Sequence, residues 1–126
     1  MDDAQRLEAI ISAWLEHLEH ESGVAANTLL AYGRDLAQFS SFLGSRLGRP
    51  PMLSDLESLD QRTFRSFMAA RRKGGIESRS LSRTMSALRS FFRWLEKREI
   101  AKNRSVLQVQ MPKKPHGVPK PLTVDK

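Results

Sequence analysis

The 126-residue sequence contains no cysteine, one tyrosine and two tryptophans. The missing cysteine excludes disulfides and thiolate metal sites, and it fits a cytosolic address. No apolar run approaches the roughly 20 residues that cross a bilayer. The N-terminus, MDDAQRLEA, has no basic stretch leading into an apolar one, so no secretion signal is read there. Catalytic signatures are missing too. There is no GxxxxGK[ST] or GxGxxG loop, no cysteine nucleophile and no carboxylate pair flanked by histidine. His17 and His20 stand three residues apart without a third ligand. Tyr32, set in an apolar stripe, reads as core with its hydroxyl at the edge rather than as a nucleophile. No catalytic residue is assigned, and no metal, cofactor or small-molecule ligand is expected.

The second half of the chain is short of acid. Residues 1–60 carry 4 basic and 10 acidic side chains, whereas residues 61–126 carry 17 basic and 4 acidic. With 40% hydrophobic and 28% charged residues the chain is expected to fold around a core. Such asymmetry points to a nucleic-acid or acidic-membrane surface built from the second half. The membrane is the weaker of the two, because the apolar stripes match one another as a core.

Those stripes predict an all-α, four- to five-helix bundle. A first helix over 4–21 carries Leu7, Ile11, Trp14 and Leu18, widened by Ile10 and Leu15, with Glu8, Glu16, Glu19 and Glu21 opposite. Gly23 is its expected stop, and Asn27 the expected N-cap of a second helix to Leu47. That helix has Leu29, Tyr32, Leu36, Phe39 and Leu43 on one face. Thr28, Ala31, Arg34, Asp35 and Gln38 form a small or polar face, with an intrahelical pair to Asp35 or Gln38 open to Arg34. Met52–Leu59 reads as a loop or short turn that buries Leu53 and Leu56. Asp60 then caps a third helix over about Gln61–Arg72, whose last turn gathers Arg71, Arg72 and Lys73 where cations favour the helix dipole.

The fourth long helix, Ser78–Arg98 with Ser78 as expected N-cap, has two sharply different faces. Leu81, Met85, Leu88, Phe92 and Leu95 make an apolar stripe. Arg79, Arg83, Ser86, Arg89, Ser90 and Arg93 lie opposite, with no acid before Glu96. A solvated face ordinarily mixes Glu with Lys or Arg at i,i+4. This one gives that up, as suits an anion lying along it, and arginine's planar fork matches phosphates and guanine edges. Ser105–Gln110 reads as a short further turn. Residues 111–126, MPKKPHGVPKPLTVDK, have the four prolines and four lysines of a linker. The expected division is therefore a helical domain over 1–110 and a linker over 111–126.

Three stretches resemble a known family. Asn27-Thr28-Leu29-Leu30-Ala31-Tyr32-Gly33-Arg34-Asp35-Leu36, followed by Phe39 and Phe42, resembles the N-T-L-x-A-Y-x-x-D-L-x-x-F segment of tyrosine recombinases and phage-type integrases. Leu81 to Phe92, LSRTMSALRSFF, resembles their L-S-A-L-R helix, and Pro112-Lys113 with Leu122-Thr123 resembles the linker into their catalytic domain. All three occur in order, and the likeness covers essentially the whole chain, nearest to the bacterial Xer branch and its XerC-like members.

The resemblance implies a SAM-like core-binding domain that clamps double-stranded DNA at a recombination half-site, its second and fourth helices crossing the major groove. Carried over, the candidate DNA-binding residues are Asn27, Thr28, Ala31 and Arg34, and Arg79, Ser82, Arg83, Ser86 and Arg89. Arg79 and Arg83 lie near a helix N-terminus, where base readers commonly sit. Thr28, Ser86 and Arg89 look like phosphate clamps. For a full-length protein it implies chromosome dimer resolution with partner recombinase subunits in a synaptic tetramer. The family's catalytic Arg, Lys, His and Tyr lie beyond the linker, so the segment itself is expected not to be an enzyme, within an enzymatic parent. Where the family often has Asn-Pro after the fourth helix this chain has Asn103-Arg104, so a looser or shifted turn is expected. A helical interaction bundle with a basic docking face, and the same domain of a phage or transposon integrase, remain as alternatives.

Overall fold

A computed structural model describes residues 5–110, and within them the chain is all-α. Six helices follow in order: α1 (Leu7–His20), α2 (Ala26–Leu47), α3 (Leu53–Glu57), α4 (Gln61–Lys73), α5 (Ser78–Lys97) and α6 (Ser105–Gln108). Four are long and two are single turns. The expected linker over 111–126 lies outside the described residues.

α5 is the central helix, with α1, α2, α4 and α6 all packed against it. Its expected stripe is buried throughout, and Thr84, Ala87 and Phe91 are buried beside it. The added residues widen the stripe into an arc broad enough to face α2 on one side and α4 and α6 on the other. Ala87 has no exposed surface, and its small side chain allows close helix approach there.

Aromatic rings run through the core as a chain of contacts. Trp14 stacks on Tyr32 (5.8 Å) and meets Phe91 edge-on (5.3 Å). Phe91 touches Phe92, Phe92 touches Phe64, and Phe64 stacks on Phe39, each at 5.5–5.6 Å. Fully burying a side chain of this size stabilises the fold by about 1.5–3 kcal/mol, and the edge-on pairs add roughly 0.5–1.5 kcal/mol.

The helix ends are partly as expected. Asp60 caps α4, its Oδ1 accepting from the Thr63 amide at 3.0 Å. Gly48, at φ 72°, ends α2 in the left-handed region that glycine tolerates best. Asn27 and Ser78 do not cap. α2 and α5 start one residue or more before the expected position, with Ala25 and Glu77 as N-caps and no side-chain cap at either. Asn27 and Ser78 are thus inside their helices. Met52–Leu59 holds a real turn of helix, α3, which buries Leu56 completely and Leu53 in part.

The junction after α5 is firmly tied rather than loose. Asn103 Nδ2 donates to the carbonyls of Leu56 (2.7 Å) and Leu59 (2.8 Å), while its Oδ1 accepts from the Ser105 amide (2.9 Å). Arg104, in the position where the family often has proline, pairs with Glu96 through two hydrogen bonds of 3.1 and 2.7 Å. A side-chain clasp fixes the turn that a rigid proline ring would otherwise restrict.

Candidate nucleic-acid interface

The polar faces of α2 and α5 adjoin where one side chain bridges them. Asp35 of α2, 1% exposed, lies on the arc of that helix turned toward α5. Its Oδ2 accepts from Arg83 Nε at 2.9 Å and its Oδ1 from Arg83 Nη2 at 2.8 Å. The Thr84 hydroxyl lies 2.9 Å from both Asp35 Oδ1 and the Ser80 carbonyl, with one proton to share between them. A carboxylate buried this deeply needs a paired charge and further hydrogen bonds, and it has both. The same bond to Asp35 raises the Arg83 guanidinium above its ordinary value.

This pair corrects one expectation and closes one open alternative. The α5 arginine row is not without an acid partner, because α2 supplies one across the helix contact. Arg34 does not pair with Asp35 either, since that carboxylate is occupied by Arg83 and Thr84. The residue missed as a structural centre is Asp35. Its signal was available: a lone acid one residue before Leu36 and four before Phe39, on the buried side of a helix, opposite a helix rich in arginine.

The other candidates fall into three settings. Arg79, Arg34, Ser86 and Asn27 are exposed, and among the described residues none has a hydrogen bond or ion pair from its side chain. Thr28, Ala31 and Ser82 are half-buried beside the helix contact. Arg89 is half-buried, and its Nη2 donates to the Val109 carbonyl at 2.8 Å. Arg89 therefore holds the chain after α6 against α5, and only its remaining donors are open to a phosphate. Arg93, also exposed, extends the row one turn beyond Arg89.

Charge is segregated along α5, but at the α2 edge Glu16 and Glu19 of α1 line one groove together with Arg34. No carboxylate occurs on α5 between Glu77 and Glu96. Arg72 and Lys73 are exposed in the last turn of α4, just before the start of α5. The acids Glu8, Glu16 and Glu19 are exposed on α1, which packs against α2 through the helix face holding Leu15 and Gly33. His17 lies against the Trp94 ring at 5.9 Å and near Glu21 at 3.5 Å. Among the described residues no group of three His, Cys, Asp or Glu could hold a metal ion, and no helix is long and apolar enough to cross a membrane.

The family described as phage integrase, N-terminal SAM-like domain, matches residues 11–99. Tyrosine recombinase XerC of Rhodospirillum centenum is 40% identical over 124 residues, which cover 98% of this chain and 35% of that protein. Tyrosine recombinase XerC of Brucella suis is 40% identical over 94% of this chain and 38% of its own length. That of Rhizobium meliloti is 43% identical over 87% and 35%. The chain thus spans about a third of the length of the curated relatives it matches. No solved structure matches.

Proposed function

This chain belongs to the phage integrase N-terminal SAM-like domain family found in tyrosine recombinases, and from that membership we propose that it grips duplex DNA through the joined faces of α2 and α5. The observation that carries the reading is the α5 face itself: Arg79, Ser86 and Arg93 are exposed with no carboxylate among them, beside the exposed Asn27 and Arg34 of α2. Like charges at helical spacing repel one another, and an anionic groove relieves that repulsion.

In this reading Arg79 and Arg83 read base edges in the major groove. Thr28, Ser86 and the free donors of Arg89 hold phosphates, and Asn27, Ala31, Arg34 and Ser82 complete the contact. Residues 1–110 form the DNA-binding domain and 111–126 the linker toward a catalytic domain. The DNA is a recombination half-site, and the full-length protein acts in the cytoplasm as a site-specific recombinase of the Xer kind. There it joins partner subunits in a synaptic tetramer that resolves chromosome dimers. Glu8 of α1 lies away from this face, beside Arg49, whereas Glu16 and Glu19 border it at Arg34 and mark its edge.

Titrating the chain against a fluorescent half-site duplex at several salt concentrations tests this. Each phosphate contact contributes roughly −0.9 to the slope of log affinity against log salt, so a clearly negative slope is expected. A slope near zero rules the reading out. Arg79→Ala should weaken binding, whereas Glu16→Ala, on the acidic row, should not.

A further inference from the structure

We propose that Asp35 is a positioning residue that sets base specificity by holding the Arg83 fork in one orientation. This rests on the DNA-binding reading above and goes further, because it assigns a role to a residue that cannot itself touch DNA.

A guanidinium has five N–H groups arranged along its edges. Asp35 takes the edge made by Nε and one Nη2 hydrogen. The remaining edge, made by Nη1 and the second Nη2 hydrogen, has no partner among the described residues, and the side chain is 38% exposed while that of Asp35 is 2% exposed. Two parallel N–H groups on one edge are what guanine O6 and N7 accept in the major groove. An unrestrained arginine loses its rotamer freedom only when it binds, whereas Arg83 has lost it on folding. The carboxylate is fixed in turn by Thr84, which is fully buried, and by the packing of α2 on α5. A strut between two helices needs no outward edge, and an apolar pair would serve it as well. A buried acid presenting the unused half of a fork suits recognition.

The test is selection from a pool of short duplexes with a randomised centre, by the wild-type chain, Asp35→Asn and Arg83→Lys. Asparagine sets an N–H against Arg83 in place of one carboxylate oxygen. Lysine keeps a positive charge beside Asp35 but has no second edge. The wild type should prefer G·C at one position by about five- to a hundredfold. Both variants should lose that preference at that same position while keeping the wild-type salt slope. A folded Asp35→Asn that keeps the preference, or that weakens all sequences equally, overturns the proposal. If Asp35→Asn does not fold by thermal denaturation, Arg83→Lys decides, and a preference it retains overturns the proposal. Wild-type chain without salt-dependent duplex binding would remove the DNA-binding reading and this proposal with it. A preference kept by folded Asp35→Asn, with salt-dependent binding intact, overturns this proposal alone and leaves the DNA-binding reading standing.

Discussion

Replacing Asn103 gives a sign as well as a size. Its amide ties together two helix ends whose backbone groups have no intrahelical partners. The Leu56 carbonyl belongs to the last turn of α3, and the Ser105 amide to the first turn of α6. Asn103→Ala removes three hydrogen bonds of 2.7–2.9 Å. The Leu59 carbonyl keeps a bond from Ser105 Oγ at 3.3 Å, so the loss is nearer two bonds than three. At about 0.5–1.5 kcal/mol for each bond, with more for an orphaned carbonyl, the cost should be about 2–3 kcal/mol. Asn103→Asp keeps the acceptor for Ser105 but points a carboxylate oxygen at two carbonyl oxygens. At neutral pH it should therefore be less stable than Asn103→Ala, although it is closer in shape to asparagine. The gap should narrow in acid, where a protonated carboxyl can donate to one carbonyl. Urea unfolding followed by circular dichroism at neutral and acid pH measures all three chains. An Asn103→Asp chain as stable as the wild type at neutral pH would refute the assigned geometry.

Two further predictions concern helix ends and acid stability. Glu99 sits at φ 58° just after α5, in a motif closed by hydrogen bonds from Glu99 N to Glu96 O (3.0 Å) and Ile100 N to Leu95 O (2.9 Å). The left-handed conformation costs a side-chain-bearing residue about 1–2 kcal/mol, and glycine returns part of the gain through its freer unfolded chain. Glu99→Gly should therefore raise stability by about 0.5–1 kcal/mol in thermal denaturation, and a lowered midpoint would contradict this. Asp55 accepts from Arg49 at 2.7 and 2.8 Å and from the Met52 amide at 2.7 Å. The hydrogen bond from Arg49 holds its carboxyl below the ordinary carboxylate value. A lowered folded value means that the unfolded chain binds the proton more readily, so this contribution is complete above the ordinary carboxylate range and is lost as pH falls through the lowered folded value. Asp55→Asn should flatten the acid limb of the stability profile, and an acid limb identical to the wild type would count against the pairing.

The apolar periodicity in the sequence was enough to place the long helices and their inward faces. Leu81, Met85, Leu88, Phe92 and Leu95 are all buried as their spacing implied, because a 3.6-residue period maps directly onto one side of a cylinder. The cap positions were less legible. Asn27 and Ser78 have the chemistry of caps, but the chain enters each helix earlier, through Ala25 and Glu77 in extended conformation, and the preference of one residue does not fix that entry. The pairings of Arg83 and Arg89 were not legible either. Asp35 lies 48 residues before Arg83, and Val109 lies 20 residues after Arg89, so both partners are set by how helices pack and not by local spacing. Asn103-Arg104 departs from the family's Asn-Pro at Arg104 alone, and local spacing does not show that the Asn103 amide spans contacts 44 to 47 residues away.

The most direct test of the central claim is to map amide chemical shifts of the isotope-labelled chain as a short half-site duplex is added at low salt. Perturbations should gather at Asn27, Thr28, Ala31 and Arg34 on α2 and at Arg79, Ser82 and Ser86 on α5, and should fade as salt is raised, while Glu8 on α1, beside Arg49, stays unmoved. Perturbations gathered on α1, or none on α2 and α5, would contradict the account.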